Sequence, residues 1–376
     1  MKLLHIASFV GNAGDSISHS GTTAIFGQIL GERVATTRQE IRKTYKNYTG
    51  RDKWRFDRGF VRYANQFDLV VFGGGNFLDP SISTEPGGAV FNMARADLQK
   101  LATPFIFASI GCNPLGAISE GGKEALGGFL ASVKEKPNVE ILLRNDGSKA
   151  WASDNLGPSA SSGIVQVLDS GYFYSSGGLS APPRSNKYFI CNIGSDQVVR
   201  RFSGDTKQIE KFYRKLARLV TTTIEQTDSD VVFTAHVYWD IEGIYRVIQE
   251  MPAFLAREKV SVAPVVPGQE GAAALMAYYS NAQFAITMRL HSLVASITEG
   301  VAVYPIIPHD RIQKMLDSLD LETAGEDIGS LIEKDDLTVD KIGRVDASYR
   351  LSTKMSNASE DTFSRYRCAV RNVLGK

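Results

Sequence analysis

Phe284-Ala285-Ile286-Thr287-Met288-Arg289-Leu290-His291-Ser292, continued by Leu293 to Ile297, Gly300 and the apolar run Val301 to Ile307, is the stretch that decides the fold. A short apolar run leads into polar groups, a Leu- and Ile-rich segment follows, and a second apolar run closes the unit after a glycine. That order reads strand, helix, strand, a βαβ unit. In parallel α/β sheets ligands bind beyond the carboxyl ends of strands, and the amino end of the following helix favours anions. Arg289 and His291 fall there, so the chemistry of the chain is expected there. They lie two apart: a persisting strand puts them on one face, whereas a helix beginning at Leu290 separates them.

Upstream of this unit the same alternation recurs. Ile209, Phe212, Tyr213, Leu216, Leu219, Val220 and Ile224 keep helical spacing, and strands are expected at Tyr188 to Asn192, Val231 to Ala235 and Val260 to Val265. The first half offers near-continuous apolar runs at Leu3 to Ser8, Leu69 to Phe72, Phe105 to Ile110, Val139 to Leu143 and Val165 to Leu168, as a parallel sheet covered on both faces requires. A Ser, Gly and Pro cluster from Ser175 to Ser185 interrupts the pattern and marks the linker. The expected layout is α/β: a Rossmann-like domain over 1–175, a linker over 176–187, and a second Rossmann-like domain over 188–345 facing the first across a cleft. A tail over 346–376 carries Phe363, Tyr366, Val370 and Val373 on one helical face, free to pack back on the first domain.

At 376 residues the chain exceeds what one core usually organises, and its 43% hydrophobic content suits a globular protein. A formal net charge of +1 argues against a general nucleic-acid binder. Cys112, Cys191 and Cys368 form no CxxC pair, which points to a reducing compartment and no structural zinc. The five histidines, His5, His19, His236, His291 and His309, form no HxxxH or HxH set, so no metal is expected. Met1 to Ala7 reads as a first strand and not a signal peptide, which implies a cytoplasmic location. Leu101 to Ser119 lacks charge, but Pro104, Gly111 and Pro114 would break a membrane helix, so it reads as a buried strand and a loop. Between Arg38 and Arg62 nine Lys or Arg residues face three acids, interleaved with Tyr45, Tyr48, Trp54, Phe56, Phe60 and Tyr63. That segment suits an anionic, lipid-linked glycan or a peripheral membrane contact; a solvated amphipathic helix is the other reading.

Four ordered motifs resemble the polysaccharide pyruvyl transferase family: Gly11-Asn12-Ala13-Gly14-Asp15, Asp68 to Asn76 with its triple glycine, Arg144-Asn145-Asp146-Gly147-Ser148, and Met288-Arg289-Leu290-His291-Ser292. The resemblance implies a GT-B-like fold and transfer of pyruvate from phosphoenolpyruvate to sugar hydroxyls as a ketal, with phosphoenolpyruvate as co-substrate and no cofactor. It places Arg289, Leu290 and Ser292 at the donor, and a guanidinium fork suits a molecule carrying a carboxylate and a phosphate on three carbons. His291 is the expected acid/base, fitted either to protonate the donor or to accept protons from the acceptor. His236, which follows the strand Val231 to Ala235, is a second donor ligand, or else a loop histidine with Tyr238 and Trp239 packed beneath it.

Asn12, Asp15, Gly74, Gly75, Asn76, Arg144 and Ser148 are candidates for the acceptor side, with tight turns and a structural salt bridge as the plain alternatives. Three departures stand out. Asn145 replaces an expected acid. Asp310 is followed by Arg311 and Ile312 where a lysine two residues on is expected. The strand Tyr188 to Asn192 lacks a nearby arginine, for which Arg200 or Arg201 stands in. The rival readings are a glycosyltransferase using a sugar nucleotide and a catalytically silent saccharide-binding or scaffold protein of the same fold.

Overall fold

The computed structural model describes all residues except 32, 83–90, 92, 115, 175–185, 336 and 376, so the Ser175 to Ser185 linker cluster lies outside the described residues. The chain divides into two compact units. The first comprises Met1–Phe9, Ser18–Tyr174 and Asn357–Lys376, and the second comprises Val10–Ile17 and Ser175–Ser356.

In the first unit the described strands are β1 (Lys2–Ala7), β2 (Ala35–Glu40), β3 (Leu69–Gly73), β4 (Phe105–Ile110), β5 (Val139–Arg144) and β6 (Val165–Val167). They form a parallel sheet in the order β2-β1-β3-β4-β5-β6. Every residue of β3 and β4 is buried, as their continuous apolar sequence requires. The edge strand β2, Ala35-Thr36-Thr37-Arg38-Gln39-Glu40, has no apolar run because it has one neighbour and stays mostly exposed. One face of the sheet packs on Phe56, Phe60, Phe91 and Phe129, the other on Phe26 and on Tyr366, Val370 and Val373 of the helix Thr353–Leu374. That helix is pinned by the Tyr366 hydroxyl 3.2 Å from Ser170 Oγ and by Thr362 Oγ1, which accepts from the Leu168 amide at 3.0 Å.

The Arg38 to Arg62 segment is not an amphipathic helix. It leaves β2 through a single 3-10 turn at Ile41–Thr44 and ends in the short helix Arg58–Ala64. Phe56 and Phe60 are buried and Trp54 packs against them, with the Phe56 ring 4.4 Å from Phe91, so these three rings serve the core. The cations remain outside, Lys43 paired with Asp52 and Arg58 with Asp97.

The second unit holds β7 (Tyr188–Asn192), β8 (Asp230–Thr234), β9 (Val260–Val262), β10 (Phe284–Thr287), β11 (Ala302–Ile307) and β12 (Glu326–Asp327), parallel and ordered β12-β11-β10-β7-β8-β9. The chain runs outward from β7 through β8 to β9, then returns to lay β10 on the opposite side of β7. The switch point therefore lies between the carboxyl ends of β7 and β10, where ligands of such sheets bind. β9 stops at Val262, short of the expected Val265. Helix Thr206–Thr227 buries the seven residues whose spacing predicts it. Among the described residues no helix is long and apolar enough to cross a membrane.

Candidate active site

Asn192 ends β7 and Arg289 follows β10, so both stand at the switch point. The helix begins at Leu290, which leaves Arg289 as its extended amino-terminal cap and places His291 within its first turn. Asn192 joins three segments: its Oδ1 accepts from the Arg289 amide at 3.1 Å and its Nδ2 donates to the Thr234 carbonyl at 2.9 Å. The Arg289 guanidinium donates from Nε to Asp240 Oδ2 at 2.7 Å, and from Nη2 to Asp240 Oδ1 and to Asp196. Asp240 is fully buried and also accepts from the His236 amide at 2.9 Å. Burial alone works against the charge of Arg289, but Asp240 and then Asp196 outweigh it and hold the group protonated.

His236 lies just past β8 and is buried, not a loop histidine over packed rings: Tyr238 and Trp239 are the exposed residues here. Burial first, then the charges of Arg289 and His291, push its pKa well below the ordinary range, so the imidazole is neutral. Its Nε2 lies 3.3 Å from the Tyr279 hydroxyl, while Nδ1 has no partner among the described residues. The Tyr279 hydroxyl also contacts Ser292 Oγ at 2.5 Å and Thr234 Oγ1 at 3.2 Å. A phenol has one proton to give, so Ser292 or Thr234 must donate to it in turn. Ser292 thereby serves this buried hub, and Leu290 is packed in the interior.

Asn12 and Asp15, expected beside the triple glycine on the acceptor side, belong to the second unit. Gly11 takes a left-handed conformation (φ 86°), Asn12 Oδ1 accepts from the Gly14 amide at 2.9 Å, and the Ala13 amide donates to the His236 carbonyl at 2.9 Å. A Cβ on Gly14 would stand 2.5 Å from His291 Nδ1. The glycine loop thus permits the closest approach of backbone to the imidazole, which is the physical reason it sits here. Asp15 is buried in the first turn of helix Ala13–Leu30.

The first-unit candidates form a different assembly. Gly73 and Gly74 hug β4: a Cβ on Gly73 would meet the Ala108 carbonyl at 2.3 Å, and Gly74 (φ 85°) donates to the same oxygen at 3.2 Å. Gly75 accepts from Gly111 at 2.8 Å, and Asn76 Nδ2 donates to Asp79 Oδ2 at 2.9 Å. Arg144 is buried and bonded to Asp146 (3.0 and 2.7 Å) and Asp169 (3.2 Å), while Ser148 Oγ donates to Asp146 Oδ1 at 2.5 Å and accepts from the Cys112 amide at 2.9 Å. Arg144 and Ser148 bond within their own unit, and the motif acts as a buried clasp joining strand ends.

A model of polysaccharide pyruvyl transferase matches residues 12–310. The chain belongs to the polysaccharide pyruvyl transferase family. It is accordingly a transferase, and the matched span runs from the glycine loop through the Arg289 and His291 helix to Asp310. No curated protein matches the chain. Among solved structures, Staphylococcus aureus MnaA with UDP (S. aureus; 10% identity, TM-score 0.52) covers 100% of this chain and is covered over 97% of its own. UDP-GlcNAc 2-epimerase from Methanocaldococcus jannaschii (10% identity, TM-score 0.51) covers 97% of this chain and is covered over 100%. At such identity the likeness concerns the fold, the GT-B type built from two Rossmann-like units.

Within this member of the family the departures acquire structural reasons. Asn145 Oδ1 accepts from the Asp169 amide at 2.9 Å, and an acid there would add a third carboxylate around the single Arg144 cation. Ile312 is buried in the core, and Lys314 lies on the surface near Asp317, so neither supplies the expected lysine. Arg201 is engaged with Asp327 at 3.0 and 2.9 Å, whereas Arg200 shares a cavity wall with Asp196, the partner of Arg289. Asp240, Asn192 and Tyr279 are the residues that sequence reasoning missed. Asp240 alone left a signal, an acid four residues after His236.

Proposed function

We propose that the chain transfers the pyruvyl group of phosphoenolpyruvate onto two hydroxyls of a saccharide, forming a ketal in surface or exopolysaccharide synthesis. The observation that carries this reading is the convergence, in one unit and at its sheet's switch point, of Arg289, a neutral buried His236 with an unpartnered Nδ1, and His291 seated against the Gly14 backbone. Arg289 supplies the cation and the fork for the donor's carboxylate or phosphate. Its present partner Asp196 is 44% exposed and gives way, while fully buried Asp240 keeps the guanidinium aimed.

In the reaction a proton passes from His291 to the donor's methylene carbon, leaving an oxocarbenium-like centre at C2. One sugar hydroxyl adds there and gives up its proton; the C2–O bond to phosphate breaks; the second hydroxyl adds and gives up its own. One released proton restores His291 and the other leaves with phosphate. The donor is a cytosolic metabolite, and the proposal accordingly puts the enzyme in the cytoplasm.

Calorimetry with phosphoenolpyruvate tests this directly. Saturable binding that Arg289→Ala abolishes is the expected result; binding of a uridine diphosphate sugar in its place moves the chain to sugar-nucleotide chemistry, the second reading favoured by the fold it shares with UDP-bound MnaA. His291→Ala is expected to retain donor binding and lose turnover.

A further inference from the structure

A cavity of about 350 Å³ opens in the second unit between helices Ser195–Arg201 and Asp240–Glu250, walled by Asp196, Arg200, Tyr213, Trp239, Glu242 and Arg246. Its volume sits at the lower end of ligand pockets, which run from about 300 to 1,000 Å³ and suit a ligand of one or two rings there. Trp239 is 72% exposed, and nothing in the fold requires an indole on the surface. It is nevertheless firmly presented: the next residue is Asp240, buried and bonded to Arg289 and to the amides of His236 and Val237.

The charges on the wall choose among ligands. Arg246 bonds to Glu242 at 2.8 Å and lies 5.3 Å from the centre of the Tyr213 ring, and Asp196 is paired with Arg289. Two cations and two carboxylates line the cavity, so its own charge sums to zero, and Arg200 is the wall cation without a carboxylate partner among the described residues. A pyrophosphate needs more free positive charge than this. A neutral polyhydroxyl ring needs what is present: a flat apolar face, carboxylates that accept from hydroxyls, and guanidinium groups that donate to them.

We propose that this cavity is a saccharide subsite holding one sugar ring of the acceptor against Trp239. Its role as acceptor site rests on the pyruvyl transfer reading; its capacity to bind sugar does not. Asp196 lines the cavity on one side and meets Arg289 on the other, so a ring seated here presents its hydroxyls next to the donor arginine. The acceptor then docks in the second unit, where the first was expected to receive it.

Of the three tryptophans, Trp54 and Trp151 are half-buried and Trp239 is the exposed one, which makes indole fluorescence a local probe. The wild-type chain is titrated with the methyl glycosides of galactose, glucose, mannose and N-acetylglucosamine, and with UDP. At least one glycoside is expected to shift the emission to the blue. Calorimetry with that glycoside should show Trp239→Ala weakening it by about tenfold or more, Trp239→Phe retaining it, and Glu242→Gln weakening it with the indole still in place. Silence from all four glycosides, wild-type affinity in Trp239→Ala, or UDP binding that Trp239→Ala abolishes would each overturn the proposal. Phosphoenolpyruvate calorimetry on the same preparation reads the donor assignment separately.

Discussion

Gly14 owes its place to the absence of a side chain: a methyl group there would stand 2.5 Å from His291 Nδ1. Gly14→Ala must push the imidazole aside, and a misplacement of about 1 Å at a reacting group costs on the order of 100-fold in rate. On the proposed reaction the expected outcome is that loss in pyruvyl transfer with phosphoenolpyruvate still bound, measured by phosphate release and calorimetry. Asp196 carries the opposite expectation. It holds Arg289 from a half-exposed position, competing with any anionic ligand, so Asp196→Asn should tighten phosphoenolpyruvate binding several-fold. Weaker binding instead would show that Asp196 orients the arginine. Arg289 and His291 were legible because one short motif carries both. Asn192 was not, since it reaches Arg289 across 97 residues of chain through strand order that no local pattern encodes, and Asp240, 49 residues away, left only its spacing from His236.

At the scale of elements, the strands with continuous apolar sequence were legible and the polar ones were not. β2 is written in Thr, Arg, Gln and Glu because an edge needs no second apolar flank, and β12 is two residues long. The Arg38 to Arg62 segment misled for the converse reason: its cations are on the surface as read, but Phe56 and Phe60 are core. The Arg144 to Ser148 motif is a clasp whose removal is costly. Arg144→Met leaves Asp146 and Asp169 buried without their cation, and breaking such a pair costs about 3–5 kcal/mol. Chemical denaturation should show that loss, and a change below about 1 kcal/mol would mean water reaches the carboxylates. The terminal helix matters comparably. Tyr366 is fully buried beside Phe26, and Tyr366→Ala should cost about 3–5 kcal/mol by the same measurement.

Among the described residues His5 in the first unit and His236 in the second are buried imidazoles held neutral, and they make stability depend on acid. Burial, then the neighbouring charge of Arg38, pushes His5 down to about 3, and His236 is pushed down as well. In the unfolded chain both titrate near about 6.5. Their stabilising contribution is therefore complete above about pH 6.5 and is lost as the pH falls from there toward 3, because the unfolded state takes up the protons first. Each contributes a slope of up to about 1.4 kcal/mol per pH unit. His5→Phe, placed among the Phe9 and His19 rings, should flatten the melting temperature between pH 6 and 4 relative to wild type, a window of about two pH units.

The path of the chain through its two units has a consequence for biosynthesis. Residues 10–17 are made well before the strands and histidines that seat them, which follow residue 187, and the helix that finishes the first sheet begins at Thr353. Neither unit can close as it is synthesised. The face of the first sheet that Tyr366, Val370 and Val373 cover stays open until the helix Thr353–Leu374 has been made. The glycine loop, for its part, gains its seat only once His236 and His291 have been made, so the active centre is assembled from segments far apart in the order of synthesis.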